Sequence, residues 1–108
     1  MYLFLCSCPE EHAGVIAEAL VGEQLAACVH LLPAGISIYR WEGELCRDRE
    51  VTLILKIADT QAEDARERIL ELHPYEVPEL IALSVDEARS FEGYLQWVRE
   101  SPRLSGEG

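Results

Sequence analysis

Positive charge is scarce in this chain of 108 residues, and none of it precedes Arg40. The 9 Lys and Arg residues are outnumbered by 20 Asp and Glu residues, which leaves a formal net charge of -11. A surface with this charge repels phosphate, so we expect neither nucleic acid nor an anionic membrane as a partner. Cations are the more natural partners. Because a secretory signal starts with basic residues, we expect no such signal here.

Long apolar segments and a disulfide framework are also missing. No stretch approaches the roughly 20 apolar residues that cross a bilayer as a helix. The four cysteines, Cys6, Cys8, Cys28 and Cys46, lack the spacing of a small disulfide-rich secreted domain, so we interpret them as reduced thiols. Together these absences favour a cytoplasmic protein.

Motifs of the common catalytic and metal sites are absent as well. The sequence has no Cys-x-x-Cys, no His-Glu-x-x-His, no Gly-x-Ser-x-Gly and no glycine-rich phosphate loop. Glu76 and Glu79 are spaced as a carboxylate pair, but no nucleophile is paired with a base. We therefore predict a binding protein and not an enzyme.

The composition that remains is that of one folded domain. Apolar residues make up 49% and charged residues 27% of the chain, and a chain of this length buries enough surface to fold without disulfides. We expect a single domain over residues 1–101 and a polar, frayed tail over residues 102–108.

Hydrophobic periodicity predicts an α+β fold of the ferredoxin-like kind, with the order β-α-β-β-α-β and a further C-terminal helix. The apolar run at 25–32 reads as a buried strand, and Thr60-x-x-Glu63 reads as a capping box for the second helix. The last helix should end before Pro102. The predicted strands are 2–6, 25–32, 36–41, 44–59 and 80–85.

The two central strands form one long hairpin that turns at Glu42 and Gly43. Its tip, roughly residues 39–50, extends beyond what a compact four-stranded sheet pairs, and it carries Tyr39 and Trp41. Pairing with a neighbouring subunit would cover both the rings and the unpaired backbone groups. A free hairpin kept soluble by its charged residues is the alternative.

The sequence contains five distinctive segments, at 25–29, 33–43, 51–56, 73–79 and 93–97. Together they resemble the successive signatures of CutA proteins, the divalent-cation tolerance family. The likeness runs from about Tyr2 to Ser101 in matching order and spacing. It implies a ferredoxin-like subunit, a homotrimer and a cytoplasmic role in tolerance of divalent ions, copper especially.

The resemblance also implies where a loosely bound copper or other divalent ion would sit. The family pattern places a thiol at the end of the first strand and a histidine before a Pro-Tyr pair, which are Cys6 and His73 here. Some members carry a second histidine where this sequence has Leu72, and Cys8 offers an additional thiol. The candidate metal ligands are therefore Cys6, Cys8 and His73, which suit soft or borderline ions. Burial of the thiols and a helix-end role for His73 are the structural alternatives.

A second candidate site lies around the proline-bounded connector that follows the second helix. Polar residues on a rigid loop beside aromatic rings form pockets, here one between subunits. An interface network in which Lys56 pairs with a carboxylate is the alternative. The candidate residues are Trp41, Glu50, Lys56, Tyr75, Glu76 and Glu79.

Two functions remain open from the sequence. The first is a trimeric, cytosolic protein that binds copper or similar ions through Cys and His in metal tolerance. The alternative is a trimeric signalling or scaffold module that binds a small ligand in clefts between subunits, an analogy of fold alone. A third interpretation is a structural protein whose aromatic arms only hold the trimer together and bind no ligand.

Overall fold

A computed structural model describes residues 1–105, the last four by their backbone alone, and shows an α+β fold. A short 3-10 turn at Asp59–Gln61 precedes the second helix. The elements are β1 (Tyr2–Pro9), α1 (Glu10–Gly22), β2 (Cys28–Leu31), β3 (Gly35–Trp41), β4 (Glu44–Ile57), α2 (Ala62–Leu72), β5 (Glu79–Ser84) and α3 (Glu92–Ser105).

The strands form one antiparallel sheet in the order β2-β4-β1-β5, and β3 extends it along the free half of β4. The first strand lies in the middle, with Cys6 opposite Leu53 of β4 and Leu80 of β5. This order, with two helices connecting the strands, is the predicted ferredoxin-like arrangement.

The core lies between one face of the sheet and helices α1 and α2. Alternate residues of β4 point to this face, and Leu53, Leu55 and Ile57 are fully buried there. Helix α1 contributes Ile16 and Leu20, which are also fully buried. The rest of the same cluster includes Phe4, Cys6, Cys8, Val51, Ala65 and Ile69.

The apolar run at 25–32 is not the buried strand that its composition predicts. Two residues after the end of α1, Gln24 is left-handed with φ of 65°, and Leu25 N–H then donates to the carbonyl of Leu20. The first part of the run therefore forms the turn at the end of the helix and does not pair as a strand. Only Cys28–Leu31 pairs as a strand, at the sheet edge, and Leu31 is 40% exposed.

Two predicted helix ends also differ. The capping box at Thr60 and Glu63 is wrong, because the 3-10 turn shifts the first residue of α2 to Ala62 and no side chain caps it. Helix α3 continues through Ser105, past Pro102. Residues 106–108 of the predicted tail lie outside the described residues, and fraying of the tail stays a prediction.

The long hairpin is present and projects from the sheet as a two-stranded ribbon. Pairing of β4 with β1 ends at Glu50, and residues 44–49 of β4 pair only with β3. We call residues 36–49 the arm. Glu42 and Gly43 form its two-residue turn with φ of 48° and 83°, the geometry of a type I′ hairpin.

The second face of the sheet is covered at one end only. Leu95 and Val98 of α3 pack there against Met1, Ala27 and Ala58. Elsewhere this face is open, and Ile81 and Leu83 of β5 are 47% and 44% exposed. Within the described part of the chain, no helix has the length and apolarity needed to cross a membrane.

Candidate functional site

A cleft forms between one face of the arm, the end of β1 and the connector between α2 and β5. It consists of two adjoining cavities of about 340 and 420 Å³, which share the side chains of Tyr39, Trp41, Tyr75 and Val77. We call it the arm cleft. The first cavity adds Asp48, Pro74 and Glu76, and the second adds Ser7, Ser37, Ile38, Glu50 and Glu79.

The register of the hairpin explains why these arm residues share one side. With a two-residue turn at its end, β3 places Tyr39 opposite Cys46 and Trp41 opposite Glu44. Side chains alternate along a strand, so residues 44, 46, 48 and 50 of β4 point to the same face as these two rings. That face continues into the open face of the sheet.

Hydroxyl groups hold three carboxylates of the cleft in place. The Tyr75 hydroxyl donates to Glu50 at 2.7 Å, the Ser7 hydroxyl donates to Glu79 at 3.2 Å, and the Tyr39 hydroxyl donates to Asp48. Bonding to Asp48 raises the pKa of Tyr39 to about 12. Burial and the bond to Glu50 also raise the pKa of Tyr75. Both phenols therefore stay protonated and keep donating at neutral pH.

His73 anchors the connector to the end of β1. Its Nε2 lies 2.7 Å from the carbonyl oxygen of Ser7, and its Nδ1 accepts the N–H of Tyr75 at 3.1 Å. Nδ1 therefore carries no proton, and Nε2–H donates. The ring is 7% exposed and lies 5.0 Å from that of Tyr75, measured between centroids. With both nitrogens occupied, His73 positions Tyr75 over the cleft.

Cys6 and Cys8 point away from the cleft, into the core beneath α1. Both are fully buried, and burial is the largest cause that raises the pKa of Cys6 to about 12 and that of Cys8 to about 11. Metals bind the thiolate form. No group of three or more His, Cys, Asp or Glu residues in the described chain is arranged to hold a metal ion. The predicted set of Cys6, Cys8 and His73 is thus not a preformed site, and its role as ligands stays a prediction.

Lys56 does not line the arm cleft of its own chain. The register sets Lys56 opposite Leu3 and Cys28, and its Nζ lies 3.7 Å from the Cys28 sulfur. It lies six residues along β4 from Glu50, a separation of about 20 Å in a strand. Its membership of a pocket between subunits stays a prediction.

The other five predicted pocket residues all line the arm cleft, namely Trp41, Glu50, Tyr75, Glu76 and Glu79. Tyr39, Asp48 and Ser7 also line the cleft, and none of them was predicted for it from the sequence. The signal for the first two was present, since a two-residue turn at 42–43 fixes which residues alternate to the side of Trp41. Ser7 had no such signal, because its contact with Glu79 depends on the pairing of β1 with β5.

The family model for the CutA1 divalent ion tolerance protein matches residues 2–101 of this chain. The chain belongs to this family. The divalent-cation tolerance protein CutA of Thermus thermophilus is 47% identical over 92 residues, which are 85% of this chain and 87% of that protein. Human protein CutA is 42% identical over 95 residues, and the match spans only 52% of its length.

Solved structures of the CutA family share the fold described above. The PII-like protein CutA from Nostoc in apo form superposes with a TM-score of 0.88 at 42% identity, covering 94% of this chain and 97% of that one. CutA1 from Pyrococcus horikoshii gives a TM-score of 0.85 at 37% identity, covering 94% and 97%. The resemblance inferred from the sequence is therefore confirmed.

We expect alkylation to separate the buried from the accessible cysteines. At about pH 8, iodoacetamide should modify the half-buried Cys28 and Cys46 of the folded protein and leave Cys6 and Cys8 unmodified, because raised pKa values reduce their thiolate fraction. Peptide mass spectrometry reads the sites, and a sample in urea, where all four should react, is the control. Equal labelling of Cys8 and Cys46 in the folded protein would contradict the burial of Cys8 in the core.

Proposed function

We propose that this protein acts in divalent-cation tolerance as a cytosolic homotrimer that binds a small ligand in the arm cleft. It works by binding and not by catalysis. The observation that carries the proposal is the convergence of three aromatic rings, Tyr39, Trp41 and Tyr75, with fixed carboxylates in the arm cleft. Pockets that combine apolar walls with a few oriented polar groups are typical ligand sites.

The exposed apolar surface supports the homotrimer. The arm exposes Ile36, Ile38 and Leu45 at 61%, 59% and 64%, and the sheet beside it exposes Ile81 and Leu83. Monomers rarely leave so many large apolar side chains in water, and the two strands of the arm pair only with each other, so their outer edges are sites for strand addition. Three copies, and not two, is the number implied by the resemblance to CutA proteins.

Because the arm belongs to both the cleft and the surface that sister chains would cover, cleft occupancy and assembly are coupled. A ligand that contacts Tyr39 and Trp41 binds the ribbon that reaches toward a neighbour. Such a ligand stabilises whichever arm position gives it better contacts. This provides a physical route from ligand binding to a change in partner affinity, which is the signalling alternative.

Soft-metal capture at Cys6, Cys8 and His73 is the second candidate. The observation in its favour is the 2.7 Å bond from His73 Nε2 to the carbonyl of Ser7, which places the imidazole beside the residue between the two thiols. Binding there requires loss of the thiol protons and release of at least one hydrogen bond of His73. The arm cleft needs no such rearrangement, so we rank it first.

Assembly is tested by the mass in solution. Light scattering after size exclusion, over a dilution series at micromolar concentrations, should give three times the chain mass of 12.2 kDa. A single species of one chain mass would remove both the trimer and any cleft completed by a neighbour.

The cleft is tested by thermal shift with metal salts and small metabolites at millimolar concentration. At about 100 times its Kd, a cleft ligand stabilises the folded protein by about 2.7 kcal/mol, and a loss of affinity of about 5- to 30-fold in Trp41→Leu should reduce this stabilisation to about 1–2 kcal/mol. Trp97→Leu is the matched control, since Trp97 is comparably exposed but lies on α3. If no compound stabilises the protein, or if Trp41→Leu keeps every shift, the cleft is not a ligand site.

Metal capture is tested by titrating the reduced protein with Cu(I) against a competing chelator. If the thiols and imidazole are ligands, the double substitution Cys6→Ser with His73→Gln should weaken the affinity at least about tenfold, or about 1.4 kcal/mol. Cys46→Ser, at the tip of the arm, serves as the control thiol. Unchanged affinity in the double variant would exclude this set.

A further inference from the structure

The arm cleft is negatively charged. Four carboxylates line it, those of Asp48, Glu50, Glu76 and Glu79, and no Lys or Arg belongs to the lining among the described residues. The arginines of the arm, such as Arg47, point to the face opposite the cleft, because side chains alternate along each strand. The part of the cleft that one chain supplies therefore repels an anionic ligand, including any phosphate.

Aromatic rings line the same cavity as the carboxylates. Tyr39, Trp41 and Tyr75 all contribute to the wall of the first cavity, where they meet Asp48 and Glu76. The faces of aromatic rings attract cations, and indole does so most strongly. Sites that recognise substituted ammonium groups combine such rings with nearby negative charge. Both parts are present here.

A bare divalent ion fits this cleft less well than a larger cation. Calcium and magnesium require about six or more oxygen ligands at fixed short distances, and no group of three carboxylate, thiol or imidazole side chains is so arranged in the part of the chain described. Three of the cleft carboxylates already accept hydroxyl hydrogen bonds from Tyr39, Tyr75 and Ser7. An ammonium group has no fixed set of oxygen ligands, and it is attracted by the negative field of the carboxylates and by the faces of the aromatic rings.

We propose that the arm cleft selects an organic ammonium ion, with the positive group against Trp41 and Tyr75 and within reach of Glu76. This inference rests on the proposed function and names the chemical class of its ligand. The cavities, about 340 and 420 Å³, are of the size that holds small organic ligands. Neutral and anionic molecules of the same shape bind weakly.

The chain offers an internal control for the test, because it contains only two tryptophans, Trp41 and Trp97. Their indole N–H groups give two signals in a ¹⁵N-correlated NMR spectrum of the assembled protein, assigned with Trp→Phe variants. The probes are choline, its neutral isostere 3,3-dimethylbutan-1-ol, the anion 3,3-dimethylbutanoate, and zinc ion alone. Choline should shift the Trp41 signal to saturation and leave that of Trp97 in place.

The affinity of the cleft should depend on the positive charge of choline and on the indole ring of Trp41. The neutral isostere should bind at least about tenfold more weakly than choline, and Trp41→Leu should weaken choline binding by about 5- to 30-fold, the range of a cation–π contact. Glu76→Gln should weaken it about threefold or more, since a carboxylate attracts the cation through partly exposed surroundings. Glu67→Gln, an exposed carboxylate on α2, and Trp97→Leu should leave it unchanged.

The outcomes separate this inference from the function on which it rests. If the neutral alcohol, the anion or zinc shifts Trp41 as strongly as choline, or if choline does not bind, the ammonium assignment is overturned. The arm cleft remains a ligand site in that case, provided that some compound of the thermal screen stabilises Trp41→Leu less than it stabilises Trp97→Leu. If none does, both statements are wrong.

Discussion

The length of β4 determines the rest of this structure. Its 14 residues are more than β1 can pair, so one half completes the core and the other half leaves the sheet with β3 as the arm. The alternation of side chains runs through both halves without a break. In the core half it separates the fully buried Leu53 and Leu55 from the open face, and in the arm half it collects the aromatic rings and carboxylates on that same face.

Features that depend on neighbours in the sequence were predictable, and features that depend on tertiary pairing were less so. The alternation of Val51 to Ile57, the turn at Gly43 and the helix stop at His73 are local signals, and the structure contains all three. The prediction of a buried strand at 25–32 was wrong because composition does not distinguish a residue at the end of a helix from one in a central strand. Tertiary context also replaced the Thr60 capping box with a 3-10 turn.

The same division applies to the candidate site. Trp41, Glu50 and Tyr75 were found from charged and aromatic residues near a rigid connector. Lys56 was predicted for the same pocket, but the strand register, which the sequence does not show, places it opposite Cys28 and away from the arm cleft of its own chain. The position of His73 was found, but its hydrogen bonds to Ser7 and Tyr75 link residues 66 and 2 positions apart, and the first depends on the fold.

The register of the arm has a consequence for the cleft. Because side chains alternate, a shift of β3 by a single residue against β4 would turn Tyr39 and Trp41 to the arginine side and bring Arg40 to the carboxylates. The two left-handed residues of the turn prevent this slip. Glu42 and Gly43 line neither cavity, yet the chemistry of the cleft is set by the number of residues that separate the two strands there.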